Sequence, residues 1–126
     1  GEALGDRGED AAARFLKRQG YYILARGLDS PLGELDIVAV DGRTVVFVEV
    51  KTPRSDDAGR PEEAIDRVKQ QRMTQAALAY LKSKRLLGYA SRFDVVALTW
   101  PKDAKRPTIE HFKNAFEPAG AGQFFS

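Results

Sequence analysis

The sequence contains no cysteine and a single histidine, His111. A disulfide scaffold, a thiolate nucleophile and a cysteine-ligated zinc site are therefore excluded within this chain. One histidine cannot build a multi-histidine zinc site, and no G-x-S-x-G nucleophile elbow accompanies it for a Ser-His-Asp triad. Any hydrolytic chemistry must depend mainly on carboxylates, lysine and a hard cation. The lack of cysteine agrees with a reducing cytoplasm, where we expect the protein to be located.

Long apolar runs are lacking too, and none approaches the roughly 20 residues needed to cross a bilayer. Hydrophobic residues still make up 43% of the 126 positions and charged residues 30%, which is enough for one core with a well-solvated surface. We expect a single domain over residues 1–117 and a poorly ordered tail over residues 118–126. The net charge of +2 permits a polyanionic partner without requiring one.

The order of apolar patterns predicts a helix, three strands, a second helix and one or two further strands. Short loops join the first three strands, which should be antiparallel, and the second helix should cross over into a parallel fourth strand. The expected fold is α/β, a mixed sheet flanked by helices. The predicted helices are Leu4–Gln19 and Pro61–Lys84, the predicted strands are Tyr21–Arg26, Leu35–Val40, Thr44–Lys51, Phe93–Trp100 and Ile109–Phe112, and the predicted loops include Gly27–Pro31 and Pro53–Arg60.

An acidic residue, Glu49, interrupts the most apolar of these strands. Burying an unpaired carboxylate is unfavourable, so Glu49 needs a partner. Lys51 lies two residues further on and therefore on the same face. Alternation along the strand predicts two faces, one lined by Val46, Val48 and Val50 and the other by Val45, Phe47, Glu49 and Lys51.

A second acid, Asp36, lies on the preceding strand, and Asp41-Gly42-Arg43 between the two strands is a strong hairpin signal. A two-residue turn centred on Gly42-Arg43 pairs Asp36 with Glu49, whereas one centred on Asp41-Gly42 pairs Asp36 with Phe47. Both registers place the two carboxylates on one face, with Cβ atoms ~5 Å apart if opposed and ~7–8 Å apart if diagonal. A three-residue loop would place them on opposite faces.

Two carboxylates so placed repel each other unless positive charge lies between them. Mg²⁺, with Mn²⁺ as a substitute, suits this position because it takes one or two carboxylates together with waters and substrate phosphates. Lys51 could orient a water or stabilise charge at phosphorus. Glu9 adds a third acid, since it shares the inward stripe of Ala12 and Leu16 and could bind a metal-coordinated water or the lysine.

Asp36 followed by Glu49-Val50-Lys51 resembles the D…ExK core of the restriction-endonuclease-like, or PD-(D/E)XK, superfamily. The sequence around these motifs resembles the bacterial YraN family, which is itself similar to archaeal Holliday-junction resolvases. The segments that carry this resemblance are Gly8-Glu9, Gly33–Val38, Val46–Thr52, Arg92–Val96 and Asn114–Phe116.

The resemblance implies an αβββαβ core and magnesium-dependent cleavage of DNA, at branched or junction structures. In those relatives the helix glutamate, the aspartate and the glutamate of ExK surround the metal, and the lysine serves the nucleophile. Carried over, the metal-binding residues are Glu9, Asp36 and Glu49, and Lys51 joins them as a catalytic residue. A homodimer would follow, because two-fold substrates call for two active sites.

Each of these residues also has a structural interpretation. Glu49 and Lys51 could form an ion pair, Asp36 could be a strand-edge acid, and Glu9 could be favoured by the helix macrodipole. Glu34 could hydrogen-bond in its loop, pair with Lys51 or act directly. The chain could accordingly be a nucleic-acid-binding module or a protein-interaction subunit that keeps the fold without turnover.

Residues outside the motif have open assignments as well. Lys69 and Arg72 face either a nucleic-acid backbone or solvent, and Ser30 lies in a loop that is mobile in resolvases. We expect His111 to be structural and Trp100 and Tyr80 to belong to the core. Ordinary surface charge is expected of Arg14, Lys17, Arg18, Lys102, Lys105 and Arg106.

Overall fold

Seven regular elements are present in a computed structural model that describes residues 3–53 and 65–118. The helices are α1 (Ala3–Arg18) and α2 (Arg67–Ser83). The strands are β1 (Tyr22–Ser30), β2 (Gly33–Asp41), β3 (Thr44–Lys51), β4 (Ser91–Thr99) and β5 (Thr108–Phe116). Of the predicted tail, only Pro118 lies within the described residues.

The strands form one mixed sheet in the order β1-β2-β3-β4-β5. β1, β2 and β3 are antiparallel neighbours, β3 and β4 are parallel, and β5 returns antiparallel to β4. The crossover containing α2 joins the parallel pair, as such connections require. The predicted α/β fold is confirmed, and the order is consistent with a restriction-endonuclease-like core.

The turn between β2 and β3 decides the register of the two motif strands. Asp41 pairs with Thr44, so the turn has two residues, Gly42 and Arg43. Gly42 has φ +64°, a left-handed conformation that glycine adopts without steric cost. Ladder pairing runs to Ile37 and Val48, which makes Asp36 and Glu49 the next opposed positions. Of the two predicted registers, the one centred on Gly42-Arg43 is therefore the one observed.

The two faces of the sheet are covered by different helices. Val46 and Val48 of β3 pack with α1, whereas Val45 and Phe47 pack with α2. This alternation is the predicted one, and β3 is buried on both faces like other central strands. The α1 face also includes Ala12, Leu16, Ile37, Val96 and Leu98, and the α2 face includes Met73, Ala77, Leu81, Phe93 and Val95.

β1 is longer than predicted, because Gly27–Ser30 continues the strand instead of forming a loop. Leu28, Asp29 and Ser30 pair with β2. Gly27 has a positive φ of +58°, and the strand continues on both sides of it. Ser30 stabilises the tight turn that follows: its hydroxyl donates to Gly33 O at 2.9 Å and accepts from Leu32 N at 3.2 Å. Cross-strand pairing has overridden the loop-like composition.

α2 begins at Arg67, with Asp66 as its N-cap, rather than at Pro61 as predicted. The Asp66 carboxylate accepts a hydrogen bond from Lys69 N at 2.8 Å, which satisfies one of the free amides of the first turn. Residues 54–64, including most of the predicted loop Pro53–Arg60, lie outside the described residues. Within the described ranges, neither α1 nor α2 has the length and apolar character that crossing a bilayer requires.

Candidate active site

Asp36 and Glu49 meet where β2 and β3 separate, at the carboxyl end of β3. Backbone pairing between the strands ends at Ile37 and Val48. Beyond it, Val50 N donates to Asp36 Oδ2 at 2.8 Å, so the side chain supplies the acceptor for this amide. A carboxyl group held by backbone in this way has a defined position, which a functional site requires.

The two carboxyl groups are hydrogen-bonded to each other. Burial, together with the hydrogen bond and the negative charge of Glu49, raises the pKa of Asp36 to about 8. Burial alone would raise the pKa of Glu49 as well, but the hydrogen bond from Asp36 and the positive charge of nearby lysines lower it. The two groups, here called the carboxylate pair, therefore titrate together, and burial and repulsion favour keeping one proton on the pair at neutral pH.

Two lysines neutralise the ionised member of the pair. Lys51 Nζ lies 3.7 Å from Glu49 Oε2, and Lys69 of α2 forms a closer ion pair with the same oxygen. The sequence did not identify Lys69 as part of this site. Its only signal is its place in the first turn of α2, which could not be located when the helix was predicted to start at Pro61.

A cleft of about 430 Å³ opens beside Glu49, between the start of β2 and the first turns of α2. Glu34, Asp66, Lys69 and Arg72 line it, so acidic and basic groups are mixed. Glu34, for which a hydrogen bond in its loop, a pairing with Lys51 or a direct role were all open, is exposed. Its charge helps to raise the pKa of Lys69, although burial opposes this and Glu49 has the larger effect.

Gly33 allows the two walls of this cleft to approach. A β-carbon at Gly33 would lie 3.1 Å from the carbonyl oxygen of Arg72, and the φ of Gly33 is +152°. Any larger residue would push α2 away from β2. The glycine therefore keeps Lys69 within reach of Glu49.

Glu9 does not join this group. It lies on α1, and its Oε1 accepts from Arg26 Nε of β1 at 3.1 Å. Arg26 also forms an ion pair with Asp10, so it holds two acids of α1. Among the described residues, no three or more acidic or histidine side chains gather as metal ligands do. Asp36, Glu49 and Lys51 thus come together as expected, whereas Glu9 has a different recorded partner and its metal role stays a prediction.

Comparisons with known proteins place the chain among bacterial relatives of similar size. Residues 8–98 match the family described as "Uncharacterised protein family UPF0102". This chain belongs to the UPF0102 family. The match extends from Gly8 through the carboxylate pair to Leu98 and therefore includes most of the motif segments. The resemblance to YraN proteins, which form this family, is confirmed.

Individual UPF0102 proteins align over nearly the whole chain. The protein from Rhodopirellula baltica is 47% identical over 125 residues, covering 97% of this chain and 75% of the relative. A protein from Geobacter sulfurreducens is 50% identical over 117 residues, covering 92% and 90%. One from Geobacter metallireducens is 45% identical over 118 residues, covering 94% and 95%. The names of these relatives give the family and no activity. They therefore support membership of the family, and any argument about activity must come from the site.

The donor set of this UPF0102 protein fits a divalent cation. Asp36 and Glu49 supply hard carboxylate oxygens, and each carboxyl group shifts the pKa of the other. Mg²⁺ commonly binds to proteins through one or two carboxylates and keeps several waters. A cation bound there would replace the shared proton and remove the repulsion between the two charges. The residues that would hold it are Asp36 and Glu49.

A second buried acid, Asp94 of β4, has quite different surroundings. It accepts hydrogen bonds from Arg92 Nε at 2.9 Å and Asn114 N at 2.9 Å, and its Oδ2 lies 2.8 Å from His111 Nε2. Arg92 also reaches Asp41 and the hydroxyl of Tyr21. We call these groups the Asp94 network. It joins β4, β5 and the end of β2, and His111 takes the structural place expected of it.

Proposed function

We propose that this UPF0102 protein is a metal-dependent nuclease that hydrolyses phosphodiester bonds in DNA. The observation that carries the proposal is the contact between the carboxyl groups of Asp36 and Glu49, next to Lys51. A buried pair of acids costs stability that apolar residues would not, so an arrangement of this kind is typical of functional sites. It also lies at the edge of a cleft, where substrate has access.

The residues divide the work as follows. Asp36 and Glu49 hold Mg²⁺ or Mn²⁺, which when bound acts as a Lewis acid and lowers the pKa of its water. Lys51, with a side chain 27% exposed, is placed to orient a water or to stabilise negative charge on the phosphate. Lys69 keeps Glu49 ionised before the cation enters, because its ammonium group lies against the same oxygen.

The proposed substrate class is branched or junction DNA, cleaved by a homodimer. Similarity of the motif segments to resolvases supports this choice, and a two-fold substrate requires two active sites. We place the activity in the cytoplasm. Glu9 would contribute only if it exchanged Arg26 for a metal-bound water.

A cleavage panel tests the proposal directly. Single-stranded, duplex, flapped and four-way DNA are incubated with Mg²⁺ or Mn²⁺, and each substrate is run with wild type and Glu49→Ala protein. We expect wild type to cleave at least one branched substrate and the variant to lose roughly 10²-fold or more of the rate. Cleavage that is equal in the two proteins would indicate a contaminating nuclease and remove support for the site.

The ion pair between Lys69 and Glu49 favours a second candidate, a module that binds DNA or protein without turnover. In that case Lys69 is the permanent partner of Glu49, and the polar group only stabilises the fold. Wild type that binds DNA but cuts nothing, in any metal and on any substrate, would favour the binding module. Failure of both binding and cleavage would favour a protein-interaction subunit.

A further inference from the structure

A second cleft, of about 470 Å³, lies on the α1 face of the sheet and is strongly basic. Arg7, Arg14 and Arg18 of α1 line it, together with Lys105 and Arg106 from the loop between β4 and β5. We call these residues the basic cleft. None of the described residues that line it is acidic. Five positive charges around one cavity repel each other, so a ligand with several negative charges would stabilise them.

The helix places its three arginines together. Arg7, Arg14 and Arg18 are separated by seven and four residues, which puts them on one face of α1. Two acids of the same helix, Glu9 and Asp10, are both paired with Arg26 instead. Arg14 makes only the smallest contribution to lowering the pKa of Asp10. Among the described residues, no acid forms an ion pair with the five cationic side chains of the cleft.

Trp100 gives one of these arginines a defined position. The guanidinium carbon of Arg7 lies 4.5 Å from the centre of the indole ring, and Trp100 also lines the cleft. A cation held over an aromatic ring loses less side-chain entropy when it binds a ligand. Guanidinium groups bind phosphate oxygens in a bidentate manner, which makes arginine well suited to a phosphate backbone. Since Arg7 lies over the ring, we assign Trp100 to positioning and not to base stacking.

The basic cleft lies at the same end of the sheet as the carboxylate pair, namely the end at which β3 and β4 finish. Lys51 pairs with Ala97 across β3 and β4, and Trp100 follows three residues later, on the order of 10 Å further along. α1 approaches this end as well. A β-carbon at Gly8, next to Arg7, would lie 2.7 Å from Thr52 Cγ2, so the helix contacts the chain just after Lys51.

We propose that the basic cleft binds the sugar-phosphate backbone of the DNA substrate. The cleft and the carboxylate pair lie at the same end of the sheet, the cleft on the α1 face and the pair on the α2 face. A strand that passes around this end contacts both. The choice of DNA rests on the proposed function, whereas the binding itself needs no metal and no cleavage. The proposal gives a ligand to four residues that the sequence predicted to be ordinary surface charge: Arg14, Arg18, Lys105 and Arg106.

Binding without metal tests this separately from catalysis. The affinity for a labelled duplex and for a four-way junction is measured in EDTA over a range of salt concentrations. In Arg14→Glu/Arg18→Glu protein we expect affinity to fall at least tenfold. The slope of log affinity against log salt should become shallower by about 1.8, since each phosphate neutralised contributes about 0.9 on duplex DNA.

Two further variants make the result specific. Lys105→Gln/Arg106→Gln removes two charges from the loop side and should give the same change in slope without altering α1. The matched control is Arg43→Glu/Lys82→Glu, which makes the same charge change at exposed positions that do not line the cleft. It should leave the affinity within about threefold of wild type, a change of under about 0.7 kcal/mol. Thermal unfolding of each variant confirms that it is folded.

The outcomes separate the two proposals. DNA affinity that falls only with the cleft variants supports the basic cleft, even if wild type cleaves nothing and the nuclease proposal fails. The basic-cleft proposal is overturned if the control variant lowers DNA affinity as much as the cleft variants do. It is also overturned if the wild-type protein does not bind DNA. Vesicles with 30% phosphatidylserine serve as a second probe, and binding to them in place of DNA would overturn it in favour of an anionic lipid surface.

Discussion

The carboxylate pair and the Asp94 network are two buried acidic sites on opposite faces of one sheet, and their surroundings differ in kind. Asp94 is fully buried and is met by a guanidinium group, an imidazole and a backbone amide. Asp36 is met by another acid. The first site is complete within the fold, whereas in the second both lysines contact Glu49 and Asp36 faces a like charge.

The pKa values of the two aspartates move in opposite directions for this reason. Burial alone would raise the pKa of Asp94, but hydrogen bonds from His111, Arg92 and Asn114 lower it. Burial and Glu49 together raise the pKa of Asp36 to about 8. Burial is common to both, so the partners decide the direction. A satisfied acid stabilises the fold, while a cation would have to displace the proton that Asp36 retains.

The largest effect expected from this contrast is on stability. Asp94→Asn should lower the free energy of unfolding by roughly 3–5 kcal/mol, because it leaves the charge of Arg92 incompletely paired in the interior. Asp36→Asn should change it by less than about 1 kcal/mol, since the amide can still donate to Glu49 and accept from Val50. Urea denaturation of the metal-free proteins measures both. Equal losses would mean that the two sites do not differ as described.

Metal binding should distinguish the sites next. Calorimetry at neutral pH should detect a site for Mg²⁺ or Mn²⁺ of millimolar affinity or better, about 4 kcal/mol or more of binding free energy. Asp36→Asn should abolish this binding, because it removes one of two carboxylate ligands. His111→Gln, in the other network, should leave it unchanged. Wild type and Asp36→Asn binding with the same affinity would rule out the carboxylate pair as the metal site.

The pH dependence of stability should have opposite signs at the two sites. For Asp36 the folded pKa, about 8, lies above its ordinary value of 3.8, so its contribution to stability is fully present below about pH 4 and is lost as pH rises to about 8. For Asp94 the folded pKa is lowered, so its contribution is present above the unfolded pKa and is lost as pH falls through the folded one.

Denaturation between pH 5 and 8 checks the sign for Asp36. Among the described carboxyl groups with shifted pKa values, Asp36 alone has a raised pKa and should change its contribution to stability in this range. Metal-free wild type should lose at most about 1.4 kcal/mol per pH unit from this group. Asp36→Asn should be less sensitive to pH over the same range. A variant with the wild-type pH profile would show that Asp36 is ionised throughout.

The smallest effect concerns Lys69, whose side chain is 46% exposed. Lys69→Met should destabilise the metal-free protein by less than about 1 kcal/mol, as expected for a half-exposed ion pair. It should also strengthen Mg²⁺ binding severalfold, because a competing positive charge next to Glu49 is gone. Calorimetry of this variant beside wild type is the measurement. Weaker binding would mean that Lys69 supports the metal-bound site and does not compete with it.

Much of the site was predictable because strand geometry is local. Alternation placed Glu49 and Lys51 on one face of β3, and two-residue turns kept Asp36 on that face in either register. The choice between registers was not predictable, since it depends on which glycine-containing pair closes the turn. β1 was predicted too short for a similar reason: pairing of Leu28 with Leu35 is a cross-strand interaction that composition does not report.

By itself, the sequence determined the order of the elements and the two faces of β3, because both follow from the spacing of apolar residues along the chain. Only the tertiary structure decided which charges meet. The fold pairs Lys69 with Glu49 and Arg26 with Glu9, and it places Lys105 and Arg14 around one cleft. The charge state of Asp36 was decided in the same way, because a pKa depends on burial and on neighbours that are distant in sequence.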